Sequence, residues 1–196
     1  MARATIFFRG ILGEFVDSDV TLEEFSRYFS RQVFDSEAFF VREGETNGRI
    51  GFLEEGYMRS FVLSGDGEEA NVRIAQPPEL VSGVSAFQTP SPVSVQAIAR
   101  SVVYCADWKT ISQVASRHSE IKVLLNRYLS LGSLATARIM ARLLRLDARE
   151  RYLLFLKEFP GAIERIHHYH IASYLGITPV QLSRIRKKDS SINKGK

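Results

Sequence analysis

Gln181, Ser183, Arg184, Arg186, Lys187 and Lys188 crowd together near the end of a 196-residue chain. Their types suit a nucleic-acid duplex. A guanidinium such as that of Arg184 presents a donor fork for guanine O6 and N7, and an amide such as that of Gln181 can pair with adenine N6 and N7. Ser183 is a helper at base edges. Arg186, Lys187 and Lys188 read as phosphate-neutralising charges, which add affinity without sequence information. Thr178, placed at a helix N-terminus, offers a hydroxyl and a backbone N–H to a phosphate. His168 and Tyr169 belong to the polar face expected to meet the same backbone.

Such residues need two short helices to present them, and the surrounding stretch, HYHIASYLGITPVQLSRIRK (168–187), supplies both. Ile171 and Leu175 fall on one helical face, with Ala172 small enough for a second helix to cross nearby. Gly176 tolerates the left-handed conformation that ends a helix. Thr178 is then an N-cap and Pro179 a first helical residue, where its missing N–H costs nothing. Leu182 and Ile185 turn back towards Ile171 and Leu175, which predicts a helix-turn-helix. An ordinary helical hairpin is the alternative, and the charge distribution weighs against it. From Arg165 onwards there are seven Lys/Arg and one acid, a local +6, against −2 for everything before it. A basic patch on one reader element is the footprint of a nucleic-acid binder.

Hydrophobic content of 45% and charged content of 24% are ordinary globular values, so a core can form in each half. No apolar run reaches the ~20 residues that span a bilayer. The opening MARATIFFRGILGEF lacks a small-residue cleavage pattern, so no signal peptide is expected and the chain reads as cytoplasmic. The single cysteine, Cys105, lies in the apolar run VVYCADW and reads as an inert core residue, with Trp108 as a packing anchor. It excludes an intrachain disulfide and argues against an iron–sulfur cluster. His167 and His170 are three apart, but no further ligand converges on them, so neither a metal nor any other cofactor is expected.

Thr21–Phe34 carries a capping-box pattern with Leu22, Phe25, Phe29 and Val33 at helical spacing, predicting an amphipathic helix. From Ala38 the chain breaks into short β-prone runs. Turns fall at Gly44, Gly48 and Gly56 and at a hairpin-like Ser64–Gly67, predicting an antiparallel roll or barrel. Helical periodicity returns over Lys109–Arg117 and then over Ser119–Leu144, whose broad apolar face includes Ile121, Leu125, Tyr128, Gly132, Ala135 and Ile139. Its length, about 39 Å at ~1.5 Å per residue, exceeds what a small roll needs for cover. Its small residues allow a second helix close by, so these six residues are expected to form a self-association seam. Asp147 and Glu150 open another helix, closed by Pro160-Gly161. The polar tail Ser190–Lys196 is expected to be disordered.

This order, an α+β chain with an N-terminal antiparallel β-roll, a long central helix and a C-terminal helix-turn-helix, resembles the Crp/Fnr superfamily of bacterial transcription regulators. The resemblance is carried by REGETNGRIGFLEEGYMRSFVLSGDGEE (42–69) and, more specifically, by ERYLLFLKEFPGAIERIHHYHIASYLGITPVQLSRIRKK (150–188). It implies a cyclic-nucleotide-binding-like sensor over residues 1–108, linking and dimerisation helices over 109–146, and a DNA-binding domain over 147–196. Also implied are a homodimer, a palindromic double-stranded operator, RNA polymerase as a further partner, and an effector of unknown identity or none. Two departures qualify it. Cyclic-nucleotide binders of the family place a Glu and an Arg in a cassette where PELVSGVSAFQTPSPVSVQA puts Gly83 and Ser91, so cyclic AMP and GMP are not expected as effectors. Pro179-Val180 replace the usual Arg-Glu pair of the recognition helix, and there is no room for a wing after Lys188. Base reading therefore falls to Arg184, Gln181 and Ser183. The competing readings are a cupin-like small-ligand or metal-dependent barrel and a protein-interaction module without DNA binding. The roll, about 38–107, contains no histidine to hold a metal, which argues against the barrel enzyme.

Overall fold

The computed structural model describes residues 2–13, 16, 18–65, 67–82 and 89–193. Two helices, α1 (Ala2–Leu12) and α2 (Asp19–Arg27), precede eight strands: β1 (Ser30–Phe34), β2 (Phe39–Val41), β3 (Arg49–Glu55), β4 (Met58–Leu63), β5 (Glu69–Ala75), β6 (Leu80–Ser82), β7 (Ser94–Ala97) and β8 (Ser101–Asp107). They form two antiparallel sheets of order β1-β8-β3-β6 and β2-β7-β4-β5. The helices that follow are α3 (Trp108–Arg117), α4 (Ser119–Arg145), α5 (Ala148–Glu158), α6 (Ala162–Arg165), α7 (His168–Tyr174) and α8 (Pro179–Asn193).

The two-residue alternation of strands divides the apolar side chains between two cores. Leu53, Val103 and Cys105 point between the sheets, with Phe40, Met58 and Val95 from the facing strands. Ile50, Phe52, Tyr104 and Ala106 point the other way, into a layer built from α1–α4. Strand β8 is therefore buried on both faces. Gly51 is needed where β3 crosses it, because a Cβ there would meet Val103 Cγ1 at 2.5 Å. Burial pushes the Cys105 thiol up to about 12, which makes it the inert core residue expected.

The N-terminal region differs from the sequence expectation. Helix α2 begins at Asp19, capped by Ser18, whose hydroxyl accepts the Thr21 N–H at 3.3 Å; Thr21 itself is inside the helix and buried. The helix stops at Arg27. Ser30–Phe34 is a strand because its backbone pairs with β8, Ser30 facing Cys105 and Phe34 facing Ser101. The helical spacing of Phe25 and Phe29 survives only as shared burial in the same core. The opening apolar segment forms α1, burying Phe8 and Leu12.

The long helix α4 lies along its own chain. Ile121 and Leu125 are buried against the chain's own roll, Tyr128 meets Phe52 edge-on at 5.1 Å, and Ile139 packs on the C-terminal core. Gly132 faces Arg73 of β5, whose Nη1 lies 3.7 Å from where a Cβ would stand, and Ala135 lies on the same side of α4. The six residues assigned to a self-association seam thus line the helix face turned to their own chain. The apolar side chains left exposed are Val123, Leu131, Leu134, Met140, Leu143 and Leu144.

Candidate nucleic-acid interface

The C-terminal helices share one core. Asp147 and Glu150 form a complete capping box that opens α5, and Phe155 stacks on Phe159 at 5.0 Å. These rings pack with Ile166, Ile171, Ala172, Leu175 and Leu182, and Ile185 covers them at the edge. Arg142 clamps α4 to α5 through a bidentate pair with Glu158, at 2.6 and 2.5 Å. Arg151 donates to the carbonyls of Leu146 and Leu175, at 2.6 and 2.8 Å, placing one cation at the C-terminal ends of α4 and α7.

Between α7 and α8 the chain makes a Schellman turn. Gly176 adopts φ 65°, its N–H donates to the Ser173 carbonyl, and the Ile177 N–H donates to the Ala172 carbonyl. Thr178 then caps α8 reciprocally with Gln181. The Gln181 N–H donates to Thr178 Oγ1 at 3.2 Å, and the Thr178 N–H donates to Gln181 Oε1 at 2.9 Å. Local chemistry thus sets the angle at which α8 leaves the turn, and Leu182 anchors it.

Ser183, Arg184, Lys187 and Lys188 stand exposed on α8, as does Val180. Gln181 is exposed too, but its carbonyl oxygen is engaged in the cap, so bidentate pairing with adenine requires it to leave Thr178. Arg186 is half-buried, with Nη1 2.6 Å from His168 Nε2, which joins two of the expected phosphate contacts into one patch. Asp189, the acid of this end, is paired with Arg149 at 2.8 Å, so its charge does not oppose the basic face. Helix α8 runs on to Asn193, so 190–193 are helical rather than a disordered tail.

His167 and His168 are exposed, whereas His170 is completely buried. No group of His, Cys, Asp and Glu among the described residues could hold a metal. Sequence reasoning overlooks the surroundings of His170. Arg59 of β4 is buried to 2% exposure and donates to Gln96 Oε1 at 2.6 Å and to Asn71 Oδ1 at 3.0 Å; it pairs with Glu69 at 2.6 Å. Asn71 in turn donates to the His170 carbonyl at 2.9 Å. The available signal is an arginine inside the apolar run YMRSFVL.

Of the two cassette positions, Gly83 lies outside the described residues. Ser91 is buried, and its hydroxyl donates to the Val93 carbonyl at 2.6 Å. Among the described residues, no helix is long and apolar enough to cross a membrane.

Residues 31–118 match the model of the cyclic nucleotide-binding domain family. No curated protein matches the sequence. Among solved structures, FixK2 from Bradyrhizobium japonicum is similar at TM-score 0.73 and 18% identity, over 84% of this chain and 86% of its own. TTHB099, a CRP-family transcriptional regulator from Thermus thermophilus, is similar at TM-score 0.68 and 20% identity, over 83% and 85%. The c-di-GMP-responsive global regulator CLP of Xanthomonas campestris is similar at TM-score 0.64 and 18% identity, over 90% and 93%.

Proposed function

We propose that this chain is a sequence-specific DNA-binding transcription regulator of the Crp/Fnr superfamily, a reading supported by the match of residues 31–118 to the cyclic nucleotide-binding domain family and by the likeness of its fold to FixK2 and TTHB099. It works as a homodimer on a palindromic operator and catalyses no reaction. One observation carries the reading. A reciprocally capped helix presents Arg184 to solvent above a buried Leu182 anchor, in the most basic part of the chain. A helix held in that way can enter a major groove, with Arg184 aimed at a guanine edge and Ser183 beside it. Lys187 and Lys188 come a turn later and neutralise phosphates, as do Arg186 and His168 at the flank and Tyr169 and Thr178 at the helix starts. Gln181 reads a base only where the duplex draws it off its cap.

Dimerisation falls to the outward face of α4, where Val123, Leu131, Leu134 and Leu144 are exposed. Cyclic AMP and GMP are not effectors in this reading, because the Ser91 hydroxyl is turned to a backbone carbonyl and carries no charge for a cyclic phosphate. Selection of random duplexes with the purified protein tests the whole reading. It should yield one motif with two inverted half-sites about one helical turn apart. Recovery of unrelated duplexes alone would refute sequence-specific recognition.

A further inference from the structure

Three guanidinium groups line one open cleft of about 240 Å³, where β5, the β5–β6 turn, α4, α5 and α7 come together. They belong to Arg73 of β5 and to Arg138 and Arg142 of α4, and the carboxylates in the same wall are those of Glu79 and Glu158. Each carboxylate is taken. Glu158 is held by the bidentate fork of Arg142, and Glu79 pairs with Nη2 of Arg73. Within the cleft wall this leaves one uncompensated positive charge, that of Arg138, which is exposed and has no partner among the described residues.

Arg73 is only partly satisfied. Its Nε–H is shut away from solvent and meets no acceptor. A buried donor left unpaired costs free energy, and native structures keep few of them. The wall around these donors is a fixed one, since Gln76 Nε2 donates to the Glu158 carbonyl at 2.9 Å and ties the β5–β6 turn to α5. Ile74, Ile139 and Phe159 add apolar surface to it. A planar guanidinium fork matches the oxygens of a carboxylate or a phosphate group. Clefts between packed units, apolar in part and carrying a few placed polar groups, are where small ligands sit.

We propose that this cleft binds a small organic oxyanion, a carboxylate or a phosphate ester, whose oxygens pair with Arg138 and supply the acceptor that Arg73 Nε lacks, while its carbon skeleton rests on the apolar part of the wall. Ser91, which stands at the cassette position, is not in this wall. The site is therefore separate from the one that cyclic-nucleotide binders use for their phosphate.

The test is calorimetric titration of the full chain at constant ionic strength with two probes, succinate and glycerol phosphate. Arg138→Gln removes the unpaired charge from an exposed position. Arg73→Lys keeps a cation for Glu79 but removes the Nε–H. Arg100→Gln removes a charge from an exposed position elsewhere on the roll and controls for net charge. At least one probe should bind saturably to the parent with a Kd below about 1 mM. That binding should weaken about tenfold in Arg138→Gln and in Arg73→Lys and stay unchanged in Arg100→Gln. Tighter binding of succinate would assign the site to organic acids, and tighter binding of glycerol phosphate to phosphate esters. If neither probe binds saturably, or if Arg138→Gln or Arg73→Lys binds as tightly as Arg100→Gln, the site is wrong. Because no duplex enters the measurement, the DNA-binding reading stands or falls separately.

Discussion

Thr178 and Gln181 cap each other: each backbone N–H is accepted by the other's side-chain oxygen, at 2.9 and 3.2 Å. The pair satisfies one of the orphan amides that every helix start carries and ties the turn to α8. Thr178→Ala should therefore lower the stability of the C-terminal domain by about 1 kcal/mol, measured by chemical denaturation. Gln181→Ala should cost a similar amount while leaving the selected DNA motif intact if the amide stays on its cap. A motif that loses one base preference in each half-site, with no change in stability, would return Gln181 to the base-reading set.

Arg184 and Lys187 should separate by the kind of loss they cause. Arg184→Ala is expected to cost about 1–3 kcal/mol per half-site and to relax preference at one base position in each half. Lys187→Ala should weaken all duplexes alike and reduce the salt slope by about one unit. Repeating the duplex selection on both variants, with affinities at several salt concentrations, distinguishes them. An unchanged motif with a shallower salt slope for Arg184→Ala would make it a phosphate clamp.

The two faces of α4 should answer differently to the same substitution. Leu131 and Leu134 are exposed, so Leu131→Glu with Leu134→Glu should leave a folded monomer, seen by sedimentation, with weakened operator binding. Leu125 is buried under the roll, and a carboxylate there has no partner. Leu125→Glu should destabilise the chain by several kcal/mol whatever its oligomeric state. A double variant at 131 and 134 that sediments like the parent would remove the outward face from the interface.

His170 gives the pH dependence a definite sign. Burial, then the nearby Arg59 guanidinium and His167, push its ring down to about 3. Facing it are Glu37, 3.7 Å from Nε2, and Tyr169, whose ring lies against it at 3.9 Å. The unfolded chain binds a proton near the ordinary value of about 6.5, which the buried ring refuses. The contribution to stability is complete above that pH and is lost as pH falls below it, by up to about 1.4 kcal/mol per unit. His170→Gln should flatten the slope between about pH 6.5 and 5 in urea-unfolding midpoints. An equal slope in both proteins would mean that Glu37 accepts the protonated ring in place.

The elements that local chemistry encodes are legible without a structure. Gly176, Thr178 and Pro179 mark a turn between helices because backbone conformation and capping depend on neighbours a few residues away, and Gly176 stands at φ 65° as that logic requires. The same holds for the Asp147–Glu150 box and for the turns of the roll. Ser30–Phe34 reads as helix because its spacing is local, whereas the strand that claims it, β8, lies some 70 residues downstream. The apolar face of α4 is visible as a face, but periodicity does not say what covers it. Only the fold turns Ile121, Leu125 and Ile139 inward and leaves Leu131 and Leu134 outside. Burial of Arg59 and docking of α7 on β5 are likewise decided by tertiary structure. Arg59 is held by Gln96, 37 positions downstream, and the docking depends on residues about 100 positions apart, Asn71 with His170 and Ser173, whose hydrogen bonds exist only once two separately legible units have packed.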